Sequence, residues 1–252
     1  MLVVVSPAKK LDFETPAPTS KFTQLTELDR SELLIEELKK CDAKKISTLM
    51  KLSESLTELN IQRYNDFKTP FNLKNAKQAM FAFKGDTYIG LDAETMKAKD
   101  IDYAQNHLRI LSGLYGLVSP LDLVQPYRLE MGTKFPCQGN KNLYEFWGES
   151  ITEKLATLLK KEKTLVNLAS KEYFSAINFK KLDAHVITPA FKEKKGDEFK
   201  MVGFFAKRAR GMMSRYIIDN RIQEPADLRN FDVDGYSYNK LLSTDTEPVF
   251  TR

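Results

Sequence analysis

Short, unbroken aliphatic runs set between longer amphipathic stretches are what most constrain this chain. Leu2 to Val5 is the first such run, cut off at once by Ser6 and Pro7. A strand with one wet face alternates apolar and polar residues, so a continuous run of this kind fits a strand covered on both faces. Thr164 to Ala169 reads the same way, His185 to Ala190 reads as another strand, and Arg109 to Ser112 reads as a strand entering a turn at Gly113 and Gly116. Between these lie stretches with helical period. Strands alternating with helices predict an α/β fold, a mixed or mostly parallel sheet covered by helices.

The remaining segments fill in that outline. Ser31 to Phe67 reads as a helical block, with helices up to Lys40, from Ala43 to Leu52 and from Thr57 to Phe67. Ala79 to Phe83 reads as a strand because of its aromatics, and Lys84-Gly85-Asp86 as a turn. Leu143 to Lys161 is expected to be one amphipathic helix holding the single tryptophan, Trp147, and Val202 to Asn220 another long helix. Pro120 to Pro136 reads as irregular, and is long enough to suspect a functional loop. The tail after Pro225 reads as loop. No linker, repeat or low-complexity stretch interrupts the chain, so residues 1–252 are expected to be a single compact domain.

Two cysteines, Cys41 and Cys137, are too few for a secreted disulfide scaffold and point to a reducing compartment. No signal-peptide pattern is visible, and no window approaches the roughly 18 apolar residues of a membrane span. The expected location is the cytoplasm.

Charge placement is more telling than its total. The net charge is +5, and the stretch from Lys192 to Arg221 carries nine basic and four acidic residues, which is the whole excess. A concentrated excess marks an anionic partner better than a diffuse one. On a helical wheel with Lys207 at zero, Arg210 lies near 300°, Arg215 near 80° and Arg208 near 100°. Phe205, Ala209, Met212, Met213 and Tyr216 fall opposite, between about 140° and 240°. The expectation is an apolar face on the core and a basic face turned outward, with phosphate binding weighed evenly against an ordinary solvated face. Gly211, near 40° on that wheel, is expected to admit a close-approaching ligand.

Three further places could carry chemistry. Ser6 to Lys10 leaves a strand end with Lys9 and Lys10, and ligands in α/β sheets often sit beyond such ends. It lacks the glycines of a phosphate-cradling loop. Gly113 and Gly116 could expose backbone amides to a phosphate. Arg128, beyond Pro126, could grip a phosphate bidentately, or could pair with Glu130 or Glu172 and brace a loop. Glu130 and Glu172 are the weak candidates for acid–base work. Metal chemistry is poorly supported, because His107 and His185 are the only histidines and neither stands at ligand spacing from a cysteine.

Several of these segments together resemble the YaaA family of bacterial peroxide stress proteins. They are Ser6 to Lys10, Leu111 to Gly116 with Ser119 to Asp122, Gln125 to Gly132, Asn167 to Ser170 with Glu172 and Tyr173, Ala206 to Gly211, Gly235-Tyr236 and Phe250 to Arg252. The resemblance implies a cytosolic protein of the hydrogen peroxide response that limits unincorporated iron and oxidative DNA damage. It also implies a compact α/β fold with a basic cleft, DNA binding and a helix-hairpin-helix-like element, which would correspond to the helices between Ala43 and Phe67. It implies no cofactor.

The leading expectation is therefore a binder of DNA phosphates with little sequence preference, using Lys9, Lys10, Arg128, Lys207, Arg208, Arg210 and Arg215. Six of these, all but Arg215, are expected to converge on one cleft. The alternatives are an enzyme acting on a nucleotide or on a base within nucleic acid, and a protein whose iron effect runs through protein partners.

Overall fold

A computed structural model describes residues 1–252. The aliphatic run at the start forms β1 (Leu2–Val5), and all four residues are buried. The later strands are β2 (Lys77–Gln78), β3 (Leu108–Ser112), β4 (Gly116–Val118), β5 (Leu123–Val124), β6 (Thr164–Leu168), β7 (His185–Ile187), β8 (Ala190–Lys195), β9 (Glu198–Lys200), β10 (Ser237–Tyr238) and β11 (Val249–Thr251). The main sheet has the order β4-β3-β1-β6-β7. β1 is its middle strand and pairs in parallel with β3 and β6, Val5 lying opposite both Ile110 and Leu168. Only β4 runs antiparallel, folding back from β3 through the Gly113–Gly116 turn. A strand with neighbours on both sides and helices over both faces has no wet face, which explains the lack of alternation in its sequence.

The helices are α1 (Leu28–Lys39), α2 (Ala43–Met50), α3 (Glu54–Asp66), α4 (Ala79–Ala82), α5 (Asp86–Leu91), α6 (Ala98–His107), α7 (Leu143–Trp147), α8 (Ser150–Glu162), α9 (Lys171–Phe174) and α10 (Gly203–Asn220). Their starts follow ordinary capping chemistry. Asp42 accepts from Lys45 N at 2.7 Å, and Asn142 from Glu145 N at 3.0 Å. Seventy buried apolar residues join into one cluster that runs from Met1 to Phe250. No helix is long and apolar enough to cross a membrane.

Four expectations need correction. Ala79 to Ala82 is a helical turn, not a strand. All four residues are buried, so the apolar run is satisfied without strand pairing. The helix expected from Leu143 to Lys161 is two, broken at Gly148, whose φ of +50° ends α7. The tail is not merely loop: β10 and β11 join β8 and β9 in a second sheet, with β11 parallel to β8. The glycine turn does not offer amides to solvent. A Cβ on Gly113 would lie 2.3 Å from Leu129 O, one on Gly116 would meet the Trp147 ring, and Trp147 Nε1 donates to Gly113 O at 2.9 Å.

Gly211 also has another use than the expected one. α10 crosses α5 at Gly90 and Gly211, where a Cβ on Gly211 would lie 1.8 Å from Thr87 O and one on Gly90 2.1 Å from Arg208 O. The missing side chain admits a helix rather than a ligand.

Candidate functional site

The carboxyl ends of β1 and β6 open into a cavity of about 300 Å³. Ser6, Leu168 and Ser170 form its floor, and the two strand ends are tied there by Ser170 N donating to Ser6 Oγ at 2.8 Å. The chain leaving β1 is pinned along the α4 segment: Asp12 N donates to Ala82 O, and Lys84 N to Lys10 O at 2.9 Å. That pinning sets Lys9, Lys10 and Lys84 on the cavity wall. α5 supplies Asp86 and Thr87, α10 supplies Lys207 and Arg210, and the segment after Pro126 supplies Tyr127, Arg128 and Glu130. Glu172 and Tyr173 come from α9.

Apart from β5, Pro120 to Pro136 is irregular as expected but mostly buried, which a surface loop would not be. Its polar groups find partners inside. Tyr115 Oη donates to Gln125 O at 3.1 Å, Tyr64 Oη to Arg128 O at 2.6 Å, and Ser112 Oγ shares a 2.6 Å hydrogen bond with Tyr127 Oη. Burial pushes the Tyr127 hydroxyl far above its usual range. It stays protonated at neutral pH.

Five of the seven expected phosphate contacts line the cavity: Lys9, Lys10, Arg128, Lys207 and Arg210. Their states differ. Arg128 donates from Nε to Glu130 Oε1 at 3.1 Å and approaches it with Nη2 at 3.1 Å, while Lys9 Nζ reaches the same oxygen at 2.9 Å. Arg128 and Lys9 thus share one carboxylate, which leaves the trio with one net positive charge, and Arg128 has the bracing geometry. Lys10 and Lys207 make no ion pair. Arg210 makes neither an ion pair nor a side-chain hydrogen bond, and burial alone lowers its pKa. An unpaired guanidinium partly stripped of water is costly unless something anionic answers it.

Arg208 and Arg215 stand apart from the cavity. Arg208 is exposed and does not line the cavity. Arg215 donates to Asp219 at 2.8 and 2.9 Å, to Asp92 O at 2.7 Å and to Thr95 Oγ1 at 2.8 Å, which fastens α10 to the end of α5. The wheel placed both on a charged arc correctly. It carries no information about Asp219, one turn on, or about the turn after α5. Lys84, Asp86 and Thr87 were missed because a Lys-Gly-Asp turn has the same sequence whether it faces a cavity or solvent.

A larger hollow of about 530 Å³ lies between Phe13–Ser20 and Leu73–Gln78. Its Lys77 is already committed, donating to Asp12 O at 2.9 Å and Thr15 O at 2.7 Å.

The bracing geometry of Arg128 gives a direct expectation. Arg128→Lys keeps the charge but presents one ammonium where two guanidinium nitrogens meet Glu130. A loss of about 1 kcal/mol, or about 2–4 °C in melting temperature, should follow. An unchanged melting temperature would show that Arg128 does not brace the segment.

Together these features define an α/β protein with a cavity at the carboxyl ends of its central parallel strands, rich in cations from four separate segments. The profile of the family described as peroxide stress protein YaaA matches residues 1–242. A UPF0246 protein of Hahella chejuensis is 52% identical over 254 residues, covering 100% of this chain and 99% of its own. Another from Pseudoalteromonas translucida is 51% identical over 255 residues, covering 100% and 98%. The chain belongs to the peroxide stress protein YaaA family.

Proposed function

We propose that the protein serves the peroxide stress response in the cytoplasm by binding DNA, chiefly through phosphates, at this cavity and its rim. The observation that carries the reading is Arg210, a half-buried guanidinium without a partner on a wall shared with unpaired Lys10 and Lys207. Six cations line the cavity against three carboxylates, so a basic cleft is the natural description. In this reading α2 and α3 are the hairpin implied by the family resemblance. They are joined by Lys51–Ser53, with Lys51 left-handed at φ +53°. Arg63 of α3 is partly buried near Arg128, and burial first, then Arg128, lower its pKa. The effect on unincorporated iron is read as indirect, with lower oxidative DNA damage following from it. No group of three or more His, Cys, Asp or Glu is placed to hold a metal.

Phosphate contacts release counterions, so log affinity for a duplex should fall with log salt at about −0.9 per contact. Arg210→Ala should weaken binding about tenfold and flatten that slope by about one contact. Arg215→Ala should lower stability and leave the slope unchanged. Absence of binding at low salt, or a flat salt profile, ends this reading.

A second reading, an enzyme acting on a nucleotide or on a base within nucleic acid, is favoured by Glu172. That carboxylate lines the cavity with no cation paired to it, whereas Glu130 is held by Lys9 and Arg128. Incubation with nucleotides and with modified DNA, followed by mass analysis of products, separates catalysis from binding.

A further inference from the structure

A cavity of about 300 Å³ sits at the lower end of the roughly 300–1,000 Å³ that small-ligand sites occupy. A duplex as a whole cannot enter it, only a backbone phosphate at its rim can, and a bare phosphate would leave most of it empty. Two kinds of charged group line this space. The cations Lys10, Lys207 and Arg210 are unpaired. Glu172 is the opposite case: its Oε1 accepts from Gly132 N at 2.9 Å, and no cation answers its charge.

A carboxylate only accepts hydrogen bonds, so Glu172, exposed at the cavity, repels a phosphate and suits an N–H or O–H donor. The ligand that suits both kinds of group carries an anion at one end and a donor edge at the other. Tyr127 and Tyr173 also line the cavity and bring aromatic surface to it.

We infer that the cavity is a mononucleotide site that selects bases bearing an amino group, with the phosphate on Arg210 and Lys207 and the amino group on Glu172. This rests on the phosphate reading above and names what the phosphate belongs to. Adenine, cytosine and guanine carry an exocyclic amino group; thymine does not, and its one N–H donor, at N3, is flanked by two carbonyl oxygens that a carboxylate repels. Because only one nucleotide fits, a nucleotide within DNA would have to be terminal or turned out of the stack. A free nucleotide has the same chemistry.

The test is calorimetric titration of the whole protein with the four deoxynucleoside 5′-monophosphates and with ribose 5-phosphate. A site built to hydrogen-bond a donor rejects the analogue lacking it. The three amino-bearing nucleotides should therefore bind about tenfold or more tighter than thymidine monophosphate, and ribose 5-phosphate should be weakest. Glu172→Gln keeps an acceptor for Gly132 N, removes the charge and should erase the ranking among bases. Arg210→Ala should weaken all four nucleotides alike, about tenfold, with the ranking intact. Arg210→Lys keeps the charge if the alanine variant folds poorly. Short single strands of thymine with one internal cytosine, against all-thymine strands, tell a strand-borne source from a free one.

Nucleotides that bind without ranking, a Glu172→Gln variant that still discriminates, or ribose 5-phosphate binding as well as the nucleotides each overturn the inference. If a duplex binds with a salt slope and no mononucleotide does, the inference fails and the DNA reading stands. If neither binds, both fail.

Discussion

Gly211→Ala should lower stability by about 3 kcal/mol, a drop of about 6–12 °C in melting temperature for a chain of this size. On an exposed helix the same change would stabilise by about 1 kcal/mol. The sign reverses here because the added methyl would lie 1.8 Å from Thr87 O, 2.7 Å from its carbonyl carbon and 2.8 Å from Leu91 N. Backbone cannot rotate away as a side chain can, so α5 and α10 must separate. That separation also reaches the cavity, since Asp86 and Thr87 stand on one helix and Lys207 and Arg210 on the other. Gly90→Ala meets Arg208 O at 2.1 Å and acts on the same crossing. Once one substitution has parted the helices, the second costs less, and the double variant should lose clearly less than the sum. Urea denaturation of both single variants and the pair checks this. A Gly211→Ala protein as stable as the parent would mean that the helices do not approach so closely.

That crossing also shows where sequence reasoning stops. A glycine inside a charged helix arc says that something comes close, and Gly211 was legible to that extent. Whether a ligand or a helix comes close depends on a residue more than a hundred positions away. The central strands were legible for the opposite reason. Burial on both faces is written into every residue of Leu2–Val5 and into the aliphatic residues of Thr164–Leu168, with no need to know the neighbour. β10 and β11 are two and three residues long, too short to show a period, and they are defined by partners distant in sequence. In the cavity, Lys9 and Lys10 could be found from the strand-end rule, and Lys207 and Arg210 from the wheel. Neither signal separates Arg210 from Arg215. Both are arginines on one helix. The difference lies in Asp219 and the Asp92 carbonyl, which claim Arg215 and leave Arg210 alone.

Asp12 holds the loop that brings Lys9 and Lys10 to the cavity, and its removal should be the other large loss. Its Oδ1 accepts from Glu14 N at 3.1 Å and Thr15 N at 2.9 Å, and its Oδ2 from Thr15 Oγ1 at 2.9 Å and Lys84 Nζ at 2.6 Å. Buried Lys77 stands 3.8 Å from the same carboxylate. The Lys84 hydrogen bond first, then those of the Thr15 and Glu14 backbone and the Thr15 hydroxyl, hold the Asp12 pKa well below its ordinary 3.8. Burial already lowers the Lys77 pKa, and Asp12 is the charge that opposes this most. Asp12→Ala leaves that ammonium without its nearest counter-charge and empties four hydrogen bonds, so a loss of about 3 kcal/mol at pH 7 is expected. Asp12→Asn keeps the shape, fails as a full acceptor and should fall between. The pH dependence fixes the cause. A carboxyl whose folded pKa is depressed contributes its full stability above the unfolded pKa and loses it as pH falls from there toward the folded value. The gap between parent and Asp12→Asn should therefore be widest above about pH 5 and shrink steadily below about pH 4. Urea midpoints at pH 7, 4 and 3 measure it. A gap of constant size would mean that Asp12 acts through shape alone, and that its charge does not hold the lysine-bearing loop against α4.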